Sequence, residues 1–178
     1  MKKTHEISLD LFDLLSAEHQ VLAELMGRIT DLLDKTCYVE VADHFAVFAM
    51  AFDLHAEAEE EAVYAVLREG PPALEALIED AGHHHALMTT HVDQLVRMDV
   101  SRPEWRTRFA ALVELIQCHV DMEEGAIRDM AADELTSDLS SELARDYLET
   151  KRRLANGIDG VVVTGHEGMS PDGARRHA

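Results

Sequence analysis

Apolar residues recur at helical spacing over four long stretches of this chain, each closed by turn signals. The first stripe reads Leu11, Leu15, Leu22, Leu25, Met26, Ile29, Leu32 and Leu33. It predicts a helix running to about Lys35, with Ser8 as its N-cap. A second helix is expected over about 40–69, ended by Gly70-Pro71-Pro72, a glycine C′ followed by prolines that cannot continue a helix. A third is expected over about 73–98. Ser101-Arg-Pro-Glu104 reads as a capping box opening a fourth, over about 103–131. A shorter amphipathic helix, about 138–155, is expected to pack across one end. Residues 156–178 offer little to bury apart from Val161-Val162-Val163 and read as a mobile polar tail. Short connections make antiparallel neighbours, so the fold expected is all-α: an up-down-up-down four-helix bundle over 1–155, with a short additional C-terminal helix.

Polar residues interrupt these stripes in a repeated way. His19 lies in register on the first. Within the apolar run Phe45–Leu67, His55 and Glu59 stand four apart, on one helix face and about 6 Å apart along the axis. The fragment His119-Val-Asp-Met-Glu123-Glu124 repeats the same His-x-x-x-Glu-Glu. The third helix carries two possible stripes. One holds Ile78, His85, Val92 and Leu95; the other holds Leu77, His84, Met88, His91 and Leu95. Either way, a helix with a lone histidine precedes a helix with His-x-x-x-Glu, twice over.

Distances from the turns bring these residues to one level. His19 and His55 each lie 18 residues from a first turn centred near residue 37. His85 and His119 each lie 17 residues from a third turn centred near 102. His85 and the middle of the His55–Glu59 pair each lie 14 residues from the second, near 71. With a common rise per residue, all four sites reach one height in the bundle.

Composition narrows the partners. The net charge of −19 argues against nucleic acid or an anionic membrane, and no apolar run is long enough to span a bilayer. Eleven histidines hint at metal chemistry. Cys37 and Cys118 make no disulfide framework, and Cys118 is expected to be a packed thiol. The chain opens with no signal-peptide pattern, so a cytoplasmic, reducing location is expected. His5, His44, His166 and His177 look like surface or tail residues.

Four imidazoles and two carboxylates at one buried level are costly without a partner, and a metal supplies one. Carboxylate with imidazole suits iron or manganese, and six donors on four helices suit two ions better than one. With both carboxylates bridging, each octahedral ion would keep two open positions. Leu22, Val63, Met88 and Ile127 are expected to wall those positions with apolar surface that favours small neutral molecules. Acid–base candidates beside the motifs are Glu60, Glu124 and Tyr64. Ferritin-like bundles use Glu-x-x-His, and no histidine here has a glutamate three residues before it.

The pattern resembles the hemerythrin-like family, whose motif is His, His-x-x-x-Glu, His, His-x-x-x-Glu. The likeness covers about residues 9–155. It is strongest in the run from His55 to Arg68 and in Cys118-His-Val-Asp-Met-Glu-Glu-Gly125. The resemblance favours His85 over His84. It implies that His19, His55, Glu59, His85, His119 and Glu123 hold two iron ions in a non-haem, carboxylate-bridged centre. The implied ligand is oxygen or nitric oxide, bound, sensed or reacted with. Iron storage or delivery for iron–sulfur repair, and a di-iron enzyme acting on peroxide or nitric oxide, are the alternatives; binding or sensing is favoured over turnover. Respiratory hemerythrins carry a further histidine where this chain has Thr89, which turns the expectation away from oxygen carriage. Ala65 and Asp129 replace prolines of the family pattern, and Arg128 replaces an aromatic, placing a cation near the fourth-helix motif.

Overall fold

The computed structural model describes residues 9–164, with side chains described up to residue 157. Four long helices form the bundle: α1 (Leu11–Asp34), α2 (Tyr38–Ala58), α3 (Pro72–Val96) and α4 (Pro103–Met122). Neither α2 nor α4 stops at its α-helical bound. Each continues through a π-helical turn, Glu59–Tyr64 or Glu123–Ile127, into a last α-turn, Ala65–Leu67 or Arg128–Ala131. Contacts of α1 with α2, α2 with α3, α3 with α4 and α4 with α1 close the ring expected of an up-down-up-down bundle. A fifth helix, α5 (Ser137–Thr164), packs on α1 and α2. It starts where expected and runs on past residue 155; the remainder of the expected tail lies outside the described residues.

The π turns follow from the spacing of buried residues. His55, Glu59, Val63 and Leu67 are all buried, as are His119, Glu123, Ile127 and Ala131. Four residues of α-helix turn through about 400°, so three such steps drift about 120° off the core-facing line. Widening one turn from i→i+4 to i→i+5 absorbs that drift. The helix can then present the His–Glu pair and the apolar residues below it to the same interior.

That interior is two apolar clusters with a polar layer between them. One holds Leu22 and Ile29 of α1, Phe45, Phe48 and Phe52 of α2, Met88 of α3 and Trp105 and Phe109 of α4. The other holds Leu11 and Leu15, Val63 and Leu67, Ile78 and Ala81, Ile127, and Leu143 and Tyr147 of α5. On α1, His19 falls between Leu15 and Leu22; on α3, His85 falls between Ala81 and Met88; on α4, His119 and Glu123 fall between Ile116 and Ile127. The single level inferred from turn counting is thus the seam between the clusters.

Several local expectations are corrected. Asp10, not Ser8, caps α1, its Oδ1 accepting from Asp13 N at 3.1 Å. Ser8 lies outside the described residues. The capping box before α4 does not form: Ser101 donates its N–H (3.0 Å) and hydroxyl (2.8 Å) to Asp99 Oδ1, and Arg102 takes the cap position. Gly70 does not adopt a left-handed C′ conformation. Its place is a tight one, because a Cβ there would meet Leu74 Cδ2 at 3.0 Å and Leu67 O at 3.1 Å. Cys118 is exposed rather than packed.

Among the described residues the left-handed one is Thr36, at φ 54° in the α1–α2 turn. There the Cys37 N–H reaches Leu32 O at 3.0 Å and the Thr36 N–H reaches Leu33 O at 3.1 Å. A β-branched side chain in this region is strained. Thr36→Gly should stabilise the fold by up to about 1 kcal/mol, raising the melting temperature by about 2–4 °C in a chain of this size. A lower melting temperature in calorimetry would show that the turn carries no such strain.

Candidate metal centre

All six expected residues converge. His19, His55, Glu59, His85, His119 and Glu123 are each at most 5 % exposed. Their donor atoms form two groups, His19–His55–Glu59–Glu123 and Glu59–His85–His119–Glu123, and within each group the atoms lie within 4.8 Å of one another. Both carboxylates belong to both groups, and each touches an imidazole of each. Glu59 Oε2 lies 3.3 Å from His55 Nε2 and 3.4 Å from His85 Nε2. Glu123 Oε2 lies 3.1 Å from His19 Nε2 and 3.3 Å from His119 Nε2. The two groups meet where His85 Nε2 and His119 Nε2 stand 3.0 Å apart.

These approaches are not aligned as hydrogen bonds throughout. His19 Nε2, both Glu59 carboxylate oxygens and Glu123 Oε2 are buried with no hydrogen-bond partner among the described residues. Buried polar atoms of this kind normally find partners. Oxygen and imidazole lone pairs left unpaired and aimed at a shared space fit divalent cations well.

The outer faces of the imidazoles are held. His19 Nδ1 lies 3.0 Å from Glu124 Oε1, and His85 Nδ1 lies 3.3 Å from Glu60 Oε1. His55 Nδ1 lies 2.9 Å from the Tyr147 hydroxyl of α5. Such contacts fix ring orientation and leave Nε2 facing inward. Glu60 also accepts from Arg68 Nη2 at 3.0 Å. It reaches His85 across Gly82, where a Cβ would approach Glu60 Oε1 to 3.0 Å. Tyr64 donates its hydroxyl to Glu123 Oε1 and stacks on the His85 ring, centroids 5.4 Å apart. Glu60, Glu124 and Tyr64, read from sequence as acid–base candidates, therefore each hold a member of the cluster.

His85 is the core histidine of its triplet. His83 is exposed, while His84 and His91 are half-buried and join neither donor group. The His84 ring packs edge-on against His119, centroids 5.9 Å apart. Arg128 turns away from the centre: its Nη2 lies 3.1 Å from Asp13 Oδ1 and its guanidinium lies 5.7 Å from the Phe12 ring centroid. Sequence reading missed Tyr147 and Gly82. The one available signal for Tyr147 was its place four residues after Leu143 on the apolar face of α5.

A sequence model of the hemerythrin HHE cation binding domain matches residues 10–131. The chain belongs to this family. Hemerythrin-like domains bind metal ions, typically iron, and the buried donor set of this one fits that property. No curated protein and no solved structure matches the chain. Among the described residues, no helix is long and apolar enough to cross a membrane.

In the metal-free hemerythrin-like domain, neighbouring groups of the cluster shift one another's proton affinity. Burial pulls His19 and His85 down. The adjoining Glu123 and Glu59 carboxylates outweigh it and hold each imidazole at about 9. His55 is pushed well below its usual range by burial and by neighbouring His19. Glu59 is raised by burial and by Glu123, whereas His119 and His19 overcome burial and hold Glu123 well below the carboxylate range. The folded state thus keeps protons on His19 and His85 that the unfolded chain releases near 6.5. Their contribution to stability is complete below that pH and is lost as pH rises through about 9. The relief of His55 is already complete in this window. Urea unfolding of metal-free protein should show a falling midpoint between pH 6.5 and 9.5; a flat or rising midpoint would contradict these assignments.

Proposed function

We propose that the chain holds two non-haem iron ions through His19, His55, Glu59, His85, His119 and Glu123, with both glutamates bridging. Its role is to bind, sense or react with a small diatomic ligand, oxygen or nitric oxide. The observation carrying this reading is the pairing of each carboxylate with one imidazole from each donor group. His19 and His55 with the two carboxylates would hold one ion, and His85 and His119 with the same carboxylates the other; iron so held would supply reversible ligand binding or electron transfer.

The chain's own residues shape what reaches the centre. Leu22, Val63, Met88 and Ile127 are at most 3 % exposed and flank the layer from the two apolar clusters, limiting water. A cavity of about 310 Å³ between α2 and α3 is lined by Glu57, Glu60, Glu61, His85 and Thr89, and brings solvent to the edge of His85. Thr89, in the place of the respiratory histidine, lines this opening and adds no imidazole. Tyr64 and the two outer glutamates hold the cluster's orientation, which supports binding or sensing over turnover.

Anaerobic iron loading followed by elemental analysis should return about two iron atoms per chain, without haem. Stopped-flow mixing of the reduced protein with oxygen or nitric oxide should then give a new near-ultraviolet or visible band. One tight zinc, or no metal, would sink the iron reading. Silence toward both gases would leave iron storage, and many turnovers of peroxide or nitric oxide would make it an enzyme.

Substitutions separate the third-helix histidines. His85→Ala should lower metal affinity by a hundred-fold or more, as removal of a direct ligand. His84→Ala and His91→Ala should change it by less than about ten-fold, the lower end of what outer residues contribute. Equal iron retention by His85→Ala and wild type after dialysis against a chelator would refute the assignment.

A further inference from the structure

The matched domain ends at residue 131, and α5 begins at Ser137. This helix nevertheless supplies the outer partner of one of the six donors. Tyr147 is fully buried, its hydroxyl 2.9 Å from His55 Nδ1 and its ring edge-on to the imidazole, centroids 6.2 Å apart.

The placement of Tyr147 is fixed on both sides. Before it, Ser140 Oγ accepts from Leu11 N at 2.9 Å and donates to Asp10 Oδ2 at 3.1 Å, while Ser141 Oγ donates to Leu9 O at 2.8 Å. Beyond it, Lys151 pairs with Glu18 and Arg153 pairs with Glu61. Glu18 precedes His19, and Glu61 follows Glu60, so both ion pairs clip α5 at the height of the donor layer.

The outer contacts make the two donor groups unequal. In the first group both imidazoles are held, His19 by Glu124 and His55 by Tyr147. In the second, Glu60 holds His85, but His119 Nδ1 is buried without a hydrogen-bond partner among the described residues. Glu60 and Glu124 occupy matching places in the internal repeat. Tyr147 breaks the match, because α5 packs on the α1–α2 half.

We propose that Tyr147 is a positioning residue that makes the ion position bounded by His19, His55, Glu59 and Glu123 the tighter of two. A segment outside the matched domain thereby sets the order in which the centre fills. The inference rests on the metal-binding reading above. An imidazole held at Nδ1 keeps its Nε2 lone pair aimed inward and loses less rotational freedom on binding. Losing such a partner typically costs about 10–100-fold in metal affinity.

The test is anaerobic ferrous-iron titration of the full chain against a competing chelator dye. Wild type should show two resolved affinities. Tyr147→Phe keeps the ring and removes the hydroxyl; the tighter affinity should fall about ten-fold or more while the weaker stays within about two-fold. A loss of packing alone would weaken both together. The double variant Lys151→Ala/Arg153→Ala loosens α5 from outside the core and should weaken the same equivalent to a smaller degree. That arm stands even if Tyr147→Phe folds poorly. Equal affinities in wild type, an unchanged Tyr147→Phe, or equal losses at both positions would overturn the inference and leave two-ion binding intact. A wild type that takes up no metal would remove both.

Discussion

Burying six ionisable side chains in one layer is the constraint on which the rest of this structure depends. Four imidazoles and two carboxylates sit at a seam where no apolar neighbour can satisfy them. Each helix must interrupt its stripe there, and the core divides into two clusters because of it. The donors converge on one shared space, where the Glu123 and Glu59 carboxylates stabilise protonated His19 and His85. Phenylalanines and Trp105 on one side, and aliphatic residues closed over by α5 on the other, pack against this layer.

The doubled glutamates show how the layer is held from outside. In each pair the first carboxylate faces inward and the second reaches sideways to an imidazole on a neighbouring helix. Glu60 ties α2 to His85 of α3, and Glu124 ties α4 to His19 of α1. One dipeptide therefore performs two jobs, supplying a donor and orienting another helix's donor. It also knits the bundle in pairs that cross the repeat, α2 with α3 and α4 with α1.

Much of this was legible in the sequence. The stripes located the helices, and the residue counts from three turns level His19, His55, His85 and His119. Choosing His85 over His84 was harder, because both lie on plausible stripes; the seam between Ala81 and Met88 decides it. The helix starts were misplaced: Asp10 caps α1, and Asp99 draws Ser101 away from Glu104. Tyr147 was hidden because its partner lies 92 residues earlier in the chain, a contact that local periodicity does not encode. The reach of Gly82 toward Glu60 is likewise a tertiary fact. The π turns had a local trace, three successive four-residue steps between buried positions, which an α-helical frame cannot carry on one face.

Those two turns set the rotational phase of the bundle's lower end apart from that of its upper end. A π turn amounts to one residue more than an α-helix needs to complete its circle. Removing a residue beyond Glu60 in the first turn, or beyond Glu124 in the second, would spare all six donors, yet rotate the helix end below by about 100°. Leu67 or Ala131 would then face outward, and the floor beneath the centre would have to be rebuilt from other side chains. The half above, from Val41 to His55 and from Trp105 to His119, would not register the change. Each inward glutamate thus marks a phase joint, where one residue sets how the lower end of the helix faces the core beneath the centre.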